Sequence, residues 1–318
     1  MTFIASVIAK EGIAMVADSF VTTVEHSIDR KDFIDYLSKS KTNKSIPISD
    51  LIDLFQQRAS HTRNYADKLF QFDDYSAIAT AGSAYINGVE IKDLVKRIAL
   101  EMQIDSVAYY AKAIDDILKE FCELVKKEVL EHLKKYNCGE TDFIFSHFNR
   151  TKNEPQIFLI KIKQLSKDKY NPADTEIVTY SDRTHLKILT DGQDGFVDRL
   201  IFGSLYTNTT QIKKHFLDYI LKTCKPKGVK KKEIVHTINE FAFLEKIVTE
   251  DVFSVKFRQL SLQEAVDLAA LLIKIIMDIQ VYTEKIPTVG GLIRLAVIHK
   301  ETGFSWISGD KILPSKII

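Results

Sequence analysis

Short apolar runs separated by polar turns open the chain and predict a β-hairpin. Within the first 23 residues, two such runs flank Lys10-Glu11-Gly12, and the glycine suits a tight turn. The second run ends in Ala17-Asp18-Ser19, so a carboxylate follows a buried strand. The pattern therefore predicts a first hairpin with an acidic group at the end of its second strand.

A second hairpin is predicted from Asp67 to Gly82. A strand that begins near Lys68 leads into Asp73-Asp74, a dipeptide typical of turns. The apolar residues that follow form a second strand, which ends at Gly82. This hairpin has a lysine at the start of its first strand and a glycine at the end of its second.

Three stretches have the apolar spacing of amphipathic helices. They are residues 86–102, residues 105–136 and a long segment that opens with Ser261-Leu262-Gln263-Glu264, a capping box. We expect them to supply core or subunit contacts rather than chemistry. Further strands are predicted at 143–145, 157–162, 200–204, 295–298 and 303–307, and a loop is predicted at 191–195.

Two stretches interrupt this pattern. Residues from Val24 to about Arg63 are polar and charged, and Ser49 is placed to cap a short helix within them. We interpret residues 24–63 as an insertion that is a surface flap, a lid over a neighbouring site or a contact to a partner subunit. Residues 206–257 form an extended helical segment with a lysine-rich turn. We therefore predict a single domain, 1–318, with these two additions.

Composition narrows the class of protein. The chain has 318 residues, 45% hydrophobic and 27% charged, with a net charge of +1. That balance gives no reason to expect nucleic acid or an anionic membrane as a partner. No run approaches about 18 uninterrupted apolar residues. Cys122, Cys138 and Cys224 form no metal-ligand pattern and favour a reducing compartment, so we expect a cytoplasmic protein.

Thr2 is the first candidate for chemistry. Removal of Met1 would leave a hydroxyl and a free α-amine on one residue, and the two can act together as nucleophile and base. Methionine aminopeptidase generally removes methionine before a small residue such as threonine, so no propeptide is required.

Thr2, Asp18, Lys68 and Gly82 together resemble the site of β-type proteasome subunits and their bacterial relatives, the N-terminal-nucleophile hydrolases. Asp18 follows Thr2 by 16 residues and Gly82 follows Lys68 by 14, as in that family. The resemblance implies an α+β fold in the form of a four-layer αββα sandwich. It also implies that no metal or organic cofactor is needed.

The resemblance gives each residue a role. Thr2 is the nucleophile, Lys68 lies beside it, and Asp18 holds Lys68 charged and oriented. The Gly82 N–H faces the oxyanion, and Ser204, in the Gly-Ser that ends the predicted strand 200–204, lies near the amine of the nucleophile.

The chain departs from the family after the long helix. The family has an acid and a hydroxyl before two glycines, in the order Asp-x-x-Ser-Gly-Gly. Counting back from Gly290-Gly291 places Ile286 and Val289 at those positions. A shift in register would instead let Glu284 serve as the acid and Thr288 as the hydroxyl.

Three functions remain open at this point. The first is a proteasome-like threonine peptidase that acts on peptides or unfolded proteins as a ring-like homo-oligomer, with an unfoldase as a possible partner. The second is a non-proteolytic amidase with the same fold. The third is an inactive subunit with a role in assembly or binding.

Overall fold

The computed structural model describes residues 2–28, 30–39, 55–64, 66–167, 176–193, 195, 197, 201, 260–283 and 286–307. These residues form a mixed α+β fold in which the paired strands run antiparallel. The predicted α+β class is therefore confirmed.

The N-terminal hairpin lies in the middle of the first sheet. Strand β1 (Phe3–Ile8) pairs with β2 (Gly12–Ala17), which confirms the first predicted hairpin. On its other side β1 pairs with β12 (Ile188–Gly192). Strand β2 pairs with β13 (Arg294–His299), which continues to β14 (Gly303–Trp306) and confirms the predicted final hairpin.

The second sheet contains the second predicted hairpin at one edge. Strands β5 (Leu69–Asp73) and β6 (Ser76–Gly82) form this hairpin, and β6 pairs with β9 (Thr141–Asn149). The sheet then continues to β10 (Glu154–Ile162) and β11 (Val178–Asp182). The strands predicted near 143–145 and 157–162 are confirmed, and both are longer than the apolar runs that predicted them.

The described part of the inserted segment forms a ribbon of two strands. Strand β3 (Phe20–Ser27) continues from the first hairpin and pairs with β4 (Gln56–Asn64). Helix α1 (Arg30–Lys39) follows β3. The helix predicted to begin at Ser49 lies outside the described residues.

Four further helices are described, and their starts differ in part from the prediction. Helix α2 (Ile91–Met102) begins later than residue 86 because β7 (Tyr85–Ile86) and β8 (Val89–Glu90) form a small hairpin first. Its turn residues, Asn87 and Gly88, have positive φ angles of 51° and 75°, which end any helical path there.

The predicted helical stretch 105–136 is divided in two. Helix α3 (Ser106–Ala111) ends where Lys112 and Ala113 become extended, and α4 (Ile114–Leu133) then begins. The last predicted helix is α5 (Leu262–Thr283). Its capping box is confirmed, because the Ser261 N–H donates to Glu264 Oε2 at 2.7 Å and the Glu264 N–H donates to Ser261 Oγ at 3.3 Å.

Apolar side chains are buried on both faces of the two sheets. Helices α2 and α4 pack on the second sheet, and α5 packs on the first sheet. Between the sheets lies a third cluster that includes Ile4, Met15 and Ile144. A hydrogen bond of 2.9 Å between the buried hydroxyls of Ser6 and Ser146 also joins the two sheets.

Gly12 shows why the first turn needs a glycine. A Cβ atom at this position would lie 2.0 Å from the carbonyl oxygen of Ile298 on β13. Any larger residue would therefore force β2 and β13 apart.

The structure also corrects part of the sequence prediction. Strand β12 was not predicted, and it includes Asp191 and Gly192, which were expected to lie in a loop. Ile201 is helical, so the strand predicted at 200–204 is wrong at that residue. The extended segment 206–257 lies outside the described residues.

Two further features concern the helices and the cysteines. None of the described helices is long and apolar enough to cross a membrane. Cys122 and Cys138 are buried free thiols, and Cys224 lies outside the described residues.

Candidate functional site

Asp18 is the centre of a buried hydrogen-bond network at the end of β2. Its Oδ1 accepts from the Phe3 N–H at 3.1 Å and from Lys68 Nζ at 2.8 Å. Its Oδ2 accepts from the N–H groups of Phe20 at 3.1 Å and Gly290 at 3.2 Å. The side chain of Asp18 is completely buried, and donors from separate segments of the chain fix its position.

Lys68 is held just as firmly. Its ammonium group donates to Asp18 and also to the carbonyl oxygen of Phe20, at 2.5 Å. The Lys68 backbone is fixed too, because its carbonyl accepts from the Thr80 N–H at 2.9 Å. Only 6% of Lys68 is exposed, so its charge is presented from a fixed point at the end of the second sheet.

The protonation of this pair reflects its burial. Burial raises the pKa of the Asp18 carboxyl and lowers the pKa of the Lys68 ammonium, while the attraction between the two charges opposes both shifts. A buried lysine whose pKa is lowered gives up its proton more readily than a solvated one.

The loop after α5 packs against the Asp18 turn. The Gly290 carbonyl accepts from the N–H groups of Ser19 at 3.1 Å and Phe20 at 3.2 Å. A Cβ atom at Gly290 would lie 2.7 Å from the Phe20 ring. The first residue of the Gly-Gly pair is therefore required for a close approach of this loop to the Asp18 turn.

Gly82 is the last residue of β6 and has a positive φ of 103°. A Cβ atom there would lie 2.3 Å from the carbonyl oxygen of Glu140 and 2.9 Å from Cα of Thr141. Both the backbone conformation and the neighbouring chain therefore require glycine at this position.

Thr2 lies directly before β1, and its backbone is fixed by the end of β12. The Thr2 carbonyl accepts from the Gln193 N–H at 2.7 Å. Gly192, with a φ of 90°, approaches so closely that a Cβ atom would lie 2.0 Å from that same carbonyl oxygen. Thr2 is only 4% exposed, and what is exposed faces a pocket.

One pocket of about 220 Å³ brings the main candidates together. The pocket is lined by Thr2, Lys68 and Gly82. Asp18 does not line it but accepts a hydrogen bond from Lys68. A threonine, a buried lysine and the glycine at the end of β6 therefore line one concave surface. That combination is suited to attack on a carbonyl group.

Charged residues also line the same pocket, among them Asp67 and Lys92. Asp67 pairs with Lys92 and, at 3.0 Å, with Arg294. Although burial works to raise it, the hydrogen bond and charge of Lys92, together with Arg294, hold the pKa of Asp67 below its usual value. This ion-pair cluster therefore makes part of the pocket lining charged.

Of the three remaining candidate residues, the structure describes only Thr288, and Thr288 does not line this pocket. Ser204 and Glu284 lie outside the described residues. Thr288 is buried beside α5, where its hydroxyl accepts from Gln280 Nε2 at 3.2 Å, and it is not among the described residues that line the pocket.

Gln280 and Gly290 were missed as structural parts of the site. Gln280 Oε1 accepts from the N–H groups of Thr288 at 2.8 Å and Val289 at 2.9 Å, so it fixes the loop that delivers Gly290 to Asp18. The glycine pair was a visible signal in the sequence. Gln280 gave no signal, because a polar residue near the end of a helix is ordinarily exposed.

The described residues contain no group of three or more His, Cys, Asp or Glu side chains that could hold a metal ion. Comparison with known protein families found no matching family model, and comparison with curated proteins found no matching relative. The interpretation of the site therefore depends on its own geometry.

Proposed function

We propose that the chain, after removal of Met1, is a proteasome-like threonine hydrolase that cleaves peptide bonds. The observation that carries the proposal is the shared pocket of Thr2, Lys68 and Gly82, with Asp18 paired to Lys68 at 2.8 Å. This shared lining supports the proposal, because an N-terminal nucleophile mechanism needs a hydroxyl, a nearby cation and an oxyanion donor in one site.

In this mechanism Thr2 Oγ attacks the carbonyl carbon of the scissile amide. The α-amine of Thr2, directly or through a water, accepts the hydroxyl proton and passes it to the departing amine. The product is an ester between Thr2 and the acyl half of the substrate. Water then attacks that ester, with the same amine as base, and restores Thr2.

The α-amine must be neutral to act as a base. An unperturbed α-amine has a pKa of about 7.7–8.0. The positive charge of Lys68 disfavours a second positive charge nearby and so lowers that pKa. Asp18 keeps Lys68 in place. A backbone N–H at Gly82 would stabilise the developing oxyanion, an effect worth about 3 kcal/mol when such a donor is lost.

We further propose that the fold is the four-layer αββα sandwich of the N-terminal-nucleophile hydrolases. The packing of α2 and α4 on one sheet and of α5 on the other supports this assignment. A ring-like homo-oligomer, a peptide or unfolded-protein substrate, an unfoldase partner and a cytoplasmic location belong to the same proposal. Light scattering on the purified protein measures the size of the oligomer.

The first test is intact mass and N-terminal sequencing of the protein made in its own host. We expect a chain that begins at Thr2 and that reacts with an epoxyketone, because that reagent requires both a hydroxyl and a free α-amine. Hydrolysis of an unfolded protein is then measured for the native chain, for Thr2→Ala and for Thr151→Ala, a matched change on an exposed turn.

We expect Thr2→Ala to abolish both hydrolysis and labelling, while Thr151→Ala keeps both. A chain that retains Met1 in its own host has no free amine on Thr2, and that result would overturn the proposed mechanism.

A small-amide hydrolase is the second candidate, and one observation favours it. The pocket formed by the described residues has a volume of about 220 Å³. Ligand pockets usually have larger volumes, of about 300–1,000 Å³. Parallel assays with short acyl amides and with an unfolded protein separate the two, because only a peptidase degrades the protein.

A further inference from the structure

The carboxyl groups of Asp142 and Asp191 face each other between the two sheets, and each has one buried oxygen without a hydrogen-bond donor. Asp142 is on β9, opposite Ala81 of β6, and Asp191 is on β12, opposite Ile4 of β1. Within the described structure, Oδ1 of Asp142 and Oδ2 of Asp191 are buried and have no hydrogen-bond donor.

A proton between the two groups explains these unpaired oxygens. An ionised carboxylate only accepts hydrogen bonds, so two carboxylates in contact repel each other. If one carboxyl group keeps its proton, it donates to the other and both buried oxygens are satisfied. The contact therefore requires one proton for the pair.

The surroundings favour this arrangement. Lys161 Nζ lies 3.1 Å from Asp142 Oδ2, and the Gly192 N–H donates to Asp191 Oδ1 at 2.6 Å. Glu140 is the other charged group near Lys161. Burial, followed by the charge of Asp142, raises the pKa of Asp191 to about 7. With one proton on the pair, one carboxyl group is neutral and the other is negative. The positive charge of Lys161 balances that negative charge, so the net charge of the three side chains is zero.

The pair lies next to both halves of the candidate site. On the second sheet, the residue opposite Asp142 is Ala81, which directly precedes Gly82. On the first sheet, Asp191 directly precedes Gly192, which packs against the Thr2 carbonyl. A Cβ atom at Gly192 would lie 3.6 Å from the Ala81 Cβ, so the two strand ends lie close together here.

We propose that Asp142 and Asp191 are positioning residues that share one proton, and that this proton ties together the two sheets beside Thr2 and Gly82. When the proton leaves, the contact becomes a repulsion between like charges and the two strand ends separate. The effect on catalysis rests on the proposed function, whereas the effect on stability does not.

Asp191→Asn tests the shared proton directly. The Asn amide donates a hydrogen bond to Asp142 at every pH and has no proton to lose. The carboxyl of Asp191 has a higher pKa in the folded chain than in the unfolded chain, so its contribution is complete at low pH and is lost as pH rises to about 7. We therefore measure thermal unfolding midpoints between about pH 5 and about pH 8 for both proteins.

We expect the midpoint of the native chain to fall by several degrees relative to Asp191→Asn across that range. Asp182→Asn is the matched control, because Asp182 is an exposed aspartate at the end of β11, and we expect it to follow the native chain. If hydrolysis is observed, the rate of the native chain declines above about pH 7 relative to the rate of Asp191→Asn.

Carbon-13 NMR of labelled aspartate carboxyl groups gives a second measurement on the native chain, independent of how the variant folds. We expect one carboxyl to titrate near pH 7. Parallel midpoint curves for the native chain and Asp191→Asn, or the absence of such a titration, would overturn the proposal. A midpoint raised by Ca²⁺ in the native chain but not in Asp191→Asn would also overturn it, because a cation would then hold the pair. A protein with the expected stability curve and no hydrolysis contradicts the proposed function alone.

Discussion

Asp18 and Lys68 form a salt bridge of 2.8 Å in which the aspartate side chain is completely buried and only 8% of the lysine side chain is exposed. An ion pair in this position gains little net stability, because both charges have lost their contact with water. Its geometry is nevertheless tightly defined by the backbone donors around Asp18. We infer that the pair fixes the position of Lys68 at the pocket and adds little to stability.

Removal of only one charge of this pair should reduce the stability of the fold. We expect Lys68→Met to lower the free energy of unfolding by about 3–5 kcal/mol, because it leaves the Asp18 charge buried without its partner. Urea denaturation measures the loss.

The double variant Asp18→Asn with Lys68→Met separates stability from function. We expect it to regain a large part of the lost stability, since no buried charge remains, and to stay inactive, since no cation faces Thr2. A double variant that hydrolyses substrate at the native rate would remove Lys68 from the mechanism.

The hairpins were predictable because their signals are local. Each combines two apolar runs with a turn of suitable residues, such as Lys10-Glu11-Gly12 or Asp73-Asp74, and the capping box at Ser261 is local as well. The positions of Thr2, Lys68 and Gly82 at one pocket follow from these elements and from the spacing of the family that the chain resembles.

Long-range contacts were not predictable in the same way. Strand β12 is short and partly polar, and it becomes a strand by pairing with β1, which is distant in the sequence. The contact between Asp142 and Asp191 depends on the packing of two sheets, which no local pattern specifies. The role of Gln280 likewise depends on a loop that folds back on α5.

Gly82 should tolerate no side chain. We expect Gly82→Ala to be more destabilising than Gly88→Ala, because both positions have a positive φ but only Gly82 meets neighbouring backbone. The left-handed conformation alone costs an alanine about 1–2 kcal/mol, and that is the loss we expect at Gly88. Thermal unfolding of the two variants measures the difference, which comes from the clash with Glu140. Equal losses of stability in the two variants would mean that the end of β6 and the chain at Glu140 can move apart to accept a Cβ atom.

Tyr109 should contribute more stability through its hydroxyl than the adjacent Tyr110. The Tyr109 side chain is buried and its hydroxyl donates to Asp73 Oδ2 at 2.5 Å, whereas Tyr110 is exposed and bonds Asp74 at 3.2 Å. We expect Tyr109→Phe to cost about 1.5–3 kcal/mol, as for a hydrogen bond to a charged group. Tyr110→Phe, the matched control, should change the unfolding free energy by less than about 0.5 kcal/mol. Similar changes in the unfolding free energy for both variants would show that the buried hydrogen bond of Tyr109 contributes no more stability than the exposed one of Tyr110.

His147 should make the fold sensitive to acid. Its Nδ1 lies 2.8 Å from Ser76 Oγ, and burial lowers the pKa of its imidazole, although the charge of Asp73 acts in the opposite direction. The unfolded chain therefore takes up a proton at a higher pH than the folded chain, and stability falls as pH drops below about 6.5. His147→Gln removes this titration, so we expect its unfolding midpoint to change less than that of the native chain between about pH 7 and about pH 5.

His185→Gln, on the short 3₁₀ helix at 184–186, is the control and should retain the native slope. This slope is opposite in sign to the one expected from Asp191, so each is measured as the difference between a variant and the native chain. A His147→Gln curve parallel to the native curve would mean that the imidazole has the same pKa in the folded and the unfolded chain.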